Sequence, residues 1–179
     1  WPVLVLLGIE TLSIDPGNTK LTHLNFEFYP YSHSLFMALI WSIILGLCYF
    51  LFTKNKNGSL VLGTLVMSHW ILDLITHRPD LPLSPFSDVK VGLGLWNYPA
   101  LEIILEISLF VIGAFLYYKS SNFKRKIAFW LLMLFLLIVH MMNLFSPPPP
   151  SVMAVAWSAN LMWLIVIWAW WIEKKPSGN

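Results

Sequence analysis

The feature that most constrains this chain is a series of apolar stretches, each too long and too free of charge to be the buried stripe of a soluble helix. Ser34 to Phe52, Tyr98 to Tyr118, Ile127 to Phe145 and Val152 to Ile172 all match the length of about 20 residues that a helix needs to cross lipid hydrocarbon. Leu60 to Ile75 is a shorter fifth run, and Trp1 to Leu12 reads as the tail of a span that began earlier. Charged residues make up 11% of the 179, against about 25% in an average soluble domain, so the chain lacks the polar surface that water would demand. The expected fold is all-α: a polytopic transmembrane helix bundle, one domain over residues 1–179, with about five full spans plus a truncated N-terminal span.

Between the runs lie plausible breaks: Lys54 to Gly58, the proline-rich stretch from Arg78 to Pro99, Lys119 to Lys126, and Pro147 to Pro150. The opening Trp1-Pro2-Val3-Leu4 has neither a basic segment nor a cleavage site and does not read as a signal peptide, so further residues are expected before Trp1. Orientation follows from the lysines and arginines. Lys54 and Lys56, then Lys119, Lys124, Arg125 and Lys126, then Lys174 and Lys175 fall on one face when the spans alternate, and the positive-inside rule makes that face cytoplasmic. Residues 13–33 and 76–97 are then extracytoplasmic loops. Net charge of +2, with scattered basic residues, excludes a nucleic-acid footprint. A single cysteine, Cys48, excludes an intrachain disulfide and a thiolate-rich metal site. Tryptophans near span ends, among them Trp96, Trp157, Trp168, Trp170 and Trp171, suit interfacial belts.

Ionisable residues near the hydrocarbon cost about 2.5 to 3.5 kcal/mol each at a helix centre, so their positions carry information. Here they gather at one depth. His33 opens one span, His69 and Asp73 close the next, Glu102 and Glu106 open another, and His140 and Asn143 close the one after, all within about 15 Å of the extracytoplasmic end at 1.5 Å of rise per residue. His69, Asp73, Thr76 and His77 follow the i, i+4, i+7, i+8 spacing of one helix face. Glu102 and Glu106 also share a face, where two charges would repel unless one is protonated or a cation lies between them. Nitrogen and carboxylate donors without thiolate suit Zn²⁺, Mn²⁺ or Fe²⁺, zinc being the usual ion for hydrolysis. Candidate metal ligands are His33, His69, Asp73 and His77. Asp80, Glu102 and Glu106 are candidates for the catalytic base or for the partner of a ligand imidazole. Blander roles compete: a His69–Asp73 bond that only fixes packing, His33 as a helix cap, His140 as a packing residue and His23 as a solvated loop residue.

At Tyr31-Ser32-His33-Ser34-Leu35 and Ser68-His69-Trp70-Ile71-Leu72-Asp73-Leu74-Ile75-Thr76 the chain resembles a family of bacterial inner-membrane proteins labelled metal-dependent hydrolases, some of them LexA-binding and membrane-bound. The resemblance covers roughly Tyr29 to Glu106, and Asn143 to Ser151 is similar to a recurring segment of the same proteins. It implies that His33, His69 and Asp73 hold a metal. Two departures stand out: no acidic or Asp-His motif is found in the opening segment, and His77-Arg78-Pro79-Asp80 occupies a place where many members carry glycine. The resulting expectation is a metal-dependent hydrolase of the cytoplasmic membrane with an outward-facing His/Asp site, acting on a lipid or lipid-linked phosphoester. The alternative is a non-catalytic subunit or assembly factor whose polar cluster docks partners in a larger membrane complex.

Overall fold

A computed structural model describes residues 1–122 and 124–174; Lys175, one of the two tail lysines, lies outside the described residues. In chain order the elements are α1 (Pro2–Leu6), β1 (Thr11–Ile14), β2 (Leu24–Phe28), α2 (Pro30–His33), α3 (Leu35–Thr53), α4 (Lys56–Thr76), β3 (Leu81–Pro82), β4 (Lys90–Val91), α5 (Pro99–Ser120), α6 (Lys126–Phe145), α7 (Val152–Leu161) and α8 (Trp163–Glu173). Among the described residues five spans are long and apolar enough to cross a membrane: α3, α4, α5, α6 and the stretch formed by α7 and α8. Only 6–11% of each apolar window is buried within the protein, so most of these side chains face outward, where hydrocarbon and not water would receive them. The fold is an all-α helical bundle carrying two short two-stranded ribbons.

Helix boundaries follow from caps. Lys54 adopts the left-handed conformation (φ 56°) that ends α3, and the Asn55 side chain accepts the Gly58 N–H at 3.0 Å to open α4. The polar run from Lys54 to Gly58, which reads as a loop, is therefore a tight turn followed by the first turn of a helix. α4 starts at Lys56, four residues before the apolar run does, and reaches 21 residues, a full span. The last span is interrupted at Met162, whose N–H turns to the Ala159 carbonyl at 3.2 Å.

The chain forms two compact units, one covering Val3–Glu102 and the other beginning at Ile103. In the first, α3 and α4 form an antiparallel pair closed by two reciprocal bonds. Ser42 Oγ donates to the Gly63 carbonyl at 2.7 Å, and Ser59 Oγ donates to the Gly46 carbonyl at 2.6 Å. A Cβ on Gly63 would lie 3.2 Å from Ser42 Oγ, and one on Gly46 would lie 3.2 Å from the Ser59 carbonyl oxygen, so the approach depends on small residues. The pairing of Ser42 with Gly63 and of Gly46 with Ser59 sets a register. Extended along the pair, that register brings the start of α3 beside the last turns of α4.

The segment Trp1 to Leu12 is helical only through Leu6; Gly8 takes a positive φ of 69°, and Thr11–Ile14 then pairs antiparallel with Leu24–Phe28. Because Thr11 pairs with Phe28, the hairpin returns Glu10 to the start of α2. Tyr29, Ala38, Trp70 and Leu81 form the buried core of this unit, with Phe26, Leu35, Met67 and Leu74 packed around it. In the second unit Phe129, Leu132 and Ile172 are the buried core. There the Arg125 guanidinium lies 4.5 Å from the Trp171 ring and donates to the Trp171 carbonyl at 2.6 Å, satisfying an end of α8 that has no further turn to bond.

Candidate metal centre

Three of the four expected ligands converge. His33 comes from the last position of α2, and Ser34 caps α3 beyond it by accepting the Met37 N–H at 3.2 Å; the cap is thus Ser34 and not His33. His69 and Asp73 come from the last two turns of α4, one turn apart, as the i, i+4 spacing requires. The Asp73 carboxylate oxygen Oδ2 lies 3.3 Å from His69 Nε2 and 4.0 Å from His33 Nε2. One ligand atom from each of the three residues lies within 4.8 Å of the other two.

The chemistry of the donors fits a metal better than it fits a closed hydrogen-bond network. Asp73 Oδ2 is buried and accepts no hydrogen bond from any described residue. A buried carboxylate oxygen left in that state costs several kcal/mol unless a cation or proton meets it. Burial, reinforced by the neighbouring His69, pushes the His33 imidazole well below its ordinary pKa, keeping it in the neutral form that a metal requires. His33, His69 and Asp73 could together hold one ion that takes nitrogen and oxygen donors. The His69 side chain is 62% exposed, whereas His33 and Asp73 are 9% and 14% exposed. The cluster therefore has one open side, past His69.

His77 and Asp80 form a second group. His77 caps the end of α4, its N–H bonded to the Asp73 carbonyl at 2.8 Å, and its Nδ1 lies 2.9 Å from Asp80 Oδ1. Tyr29 donates its hydroxyl to the same Asp80 oxygen at 3.2 Å, and Arg78 Nε donates to Asp80 Oδ2 at 2.9 Å. Burial alone would raise the Asp80 pKa, but these hydrogen bonds from His77 and Arg78 outweigh it and hold the carboxyl below its usual range. Burial and the adjacent Asp80 push the Tyr29 phenol upward, so its proton stays in place. Trp96 packs on the His77 ring at 4.2 Å between centroids. The turn that carries this group is held by Gly92, where a Cβ would stand 2.1 Å from the Arg78 carbonyl oxygen. His77 thus lies outside the three-residue cluster with its Nδ1 committed to Asp80.

Glu102 is fully buried in the first turn of α5. Glu106 belongs to the second unit, where its Oε2 lies 3.1 Å from His140 Nε2. His140, read as a packing residue, is therefore part of a histidine–carboxylate pair. His23 sits in the hairpin loop, its carbonyl accepting the Asp15 N–H at 2.7 Å.

The residue that sequence reasoning missed is Glu10. It is completely buried, its Oε1 accepts the Ser32 N–H at 2.8 Å, and its Oε2 accepts the Ser32 hydroxyl at 2.6 Å. Ser32 Oγ in turn lies 2.7 Å from His33 Nδ1. The opening segment, in which no acidic motif is evident, thus does bring a carboxylate to within one residue of a candidate ligand. An acid isolated in an apolar run was the available signal.

No curated protein and no solved structure matches this chain. The sequence profile of the YdjM inner membrane protein family matches residues 30–146, a stretch that contains His33, His69, Asp73 and the His77–Asp80 pair, so this chain, with its five apolar spans, is a multi-pass inner membrane protein belonging to the YdjM family.

Proposed function

We propose that the protein is a metal-dependent hydrolase whose site opens on the extracytoplasmic side of the inner membrane and acts on a lipid or lipid-linked phosphoester. The observation that carries this reading is the convergence of His33, His69 and Asp73 around a buried carboxylate oxygen that accepts no hydrogen bond. Zn²⁺ is the first choice of ion, with Mn²⁺ or Fe²⁺ as alternatives suited to the same donors. When bound, the ion would lower the pKa of a coordinated water toward about 7 and polarise a phosphoryl oxygen. His33 and Asp73 would hold it from the buried side, and His69 would complete the set from the exposed side, open to water and substrate.

His77 acts on this reading through position, as the C-cap of the helix that carries His69 and Asp73, with its Nδ1 2.9 Å from Asp80 Oδ1. Asp80 itself accepts from Tyr29, His77 and Arg78, which makes it a positioning residue and a poor base. The orientation rests on the lysine and arginine distribution, and the lipid substrate rests on the depth of the cluster in its spans.

The test is to purify the protein in detergent, count divalent metal per chain, and assay release of phosphate or headgroup from mixed phospholipid micelles. One metal per chain, with turnover lost in His69→Ala and restored in the wild type by reloading, is the expected result. A metal-free preparation that cannot be reloaded, together with an unchanged His69→Ala variant, would end this reading and leave the docking-subunit alternative.

A further inference from the structure

We infer that Glu10 and Ser32 form a relay that fixes the protonation pattern of His33 and so prepares its Nε2 to bind the metal; the inference rests on the metal reading above. Glu10 is fully buried, and its two carboxylate oxygens are used separately, Oε1 by the Ser32 N–H at 2.8 Å and Oε2 by the Ser32 hydroxyl at 2.6 Å. The Ser32 hydroxyl donates to Oε2, so its single proton points to Glu10. Ser32 Oγ can then offer only a lone pair to His33 Nδ1, 2.7 Å away, and that nitrogen must carry the ring proton. The consequence falls at the other end of the ring. Nε2 is left bare and faces Asp73 Oδ2 at 4.0 Å, two lone pairs looking at one another with room for a cation between them.

The family match begins at residue 30, so Glu10 lies outside it, and the arrangement is set by this chain's own hairpin. The logic is that of a carboxylate oriented on a ligand imidazole, with a serine hydroxyl interposed. Its polarity can be reversed by one atom. In Glu10→Gln the backbone N–H still demands the side-chain oxygen, so the amide nitrogen meets the Ser32 hydroxyl and donates to it. Ser32 must then donate to His33 Nδ1, which pushes the ring proton onto Nε2 and blocks the ligand atom. Ser32→Ala removes the relay altogether.

The experiment uses the whole protein in detergent micelles, titrated with Co²⁺ alone and followed by its visible absorption. Ring-nitrogen NMR of ¹⁵N-histidine protein supplies the second readout in the metal-free state. Expected are one Co²⁺ per wild-type chain, affinity lower by about 10- to 100-fold in both variants, and a His33 proton that sits on Nδ1 in the wild type and on Nε2 in Glu10→Gln. Should Glu10→Gln fail to fold, Ser32→Ala and the wild-type spectrum still decide. Wild-type binding with unchanged affinity in the variants, or a wild-type His33 already protonated at Nε2, overturns the relay alone. A wild type that takes up no Co²⁺ overturns the relay and the metal centre together.

Discussion

The two histidine–carboxylate groups of the first unit bury an aspartate in opposite ways. Asp80 sits in a closed network: its two oxygens receive Tyr29, His77 and Arg78, and Arg78 continues to Asn25 Oδ1 at 2.5 Å. Asp73, seven residues earlier in the chain, leaves Oδ2 without a hydrogen bond, although two imidazole nitrogens lie within 4.0 Å. A satisfied buried network rigidifies, whereas an unsatisfied one is unstable on its own and stable only with something added. The first pattern is that of a scaffold and the second that of a binding site. Their proximity along the chain fits a division of labour, one group holding the turn after α4 and the other, on the metal reading proposed above, open to an ion.

The comparison breaks most visibly at the two aspartates. Asp73→Asn should abolish metal retention, lowering affinity by more than about 100-fold, while the thermal midpoint of the metal-free protein changes little or rises, since Oδ2 already accepts no hydrogen bond there to be lost. Asp80→Asn should keep the metal and lose about 3 kcal/mol of stability, the scale expected when one member of a buried, hydrogen-bonded charge pair is removed. Metal content after dialysis and denaturation midpoints in detergent read both. If Asp80→Asn loses the metal while Asp73→Asn only loses stability, the assignment of the two groups is reversed.

Proton titration sharpens the same contrast. The Asp80 carboxyl is held below its usual range in the folded protein by His77 and Arg78 against the opposing effect of burial. Its contribution to stability is therefore fully present above the unfolded value of about 3.9 and is lost as pH falls through the lower folded value. Metal-free wild type should lose stability more steeply than Asp80→Asn as pH falls below about 4. Parallel curves for the two proteins would mean that Asp80 is not held in its ionised form by its neighbours.

Much of this was legible beforehand. The five spans follow from run length, and the pairing of His69 with Asp73 follows from helical spacing, because both depend on neighbours within one helix. His33 could be placed at the right depth but not at the right side, since its meeting with Asp73 depends on the α3–α4 register set by Ser42, Gly46, Ser59 and Gly63. Glu10 was invisible for a related reason. Its route to Ser32 runs through the pairing of Thr11 with Phe28, a long-range contact that no local pattern encodes, in a segment whose composition suggests a continuing helix. Tyr29, which donates to Asp80, and Asn25, which accepts from Arg78, are likewise brought by the hairpin from about 50 residues away along the chain.

That register offers the next test, because the Asp73 cluster joins two helices, whereas the His77–Asp80 contact is local to one turn. Gly63→Leu places a branched side chain where even a Cβ would meet Ser42 Oγ at 3.2 Å. Forcing α3 from α4 should cost about 1 to 3 kcal/mol. It should also weaken metal binding by about fivefold, as a distortion of about 1 kcal/mol at the site would, with the environment of Trp96 against His77 unchanged by fluorescence.

Ser42→Ala is the mildest intervention. It deletes a single interhelical bond, Ser42 Oγ to the Gly63 carbonyl at 2.7 Å, while leaving the close approach and the Ser59–Gly46 bond in place. Such bonds between membrane helices contribute about 0.6 kcal/mol on average, so a small drop in resistance to denaturing detergent is expected, with metal affinity unchanged. The distinction matters mechanistically. If Ser42→Ala weakened metal binding as much as Gly63→Leu, the hydrogen bond itself would set the position of His33; if only the leucine does so, the register is held by the small-residue contact surface, and the serine bonds merely tighten it.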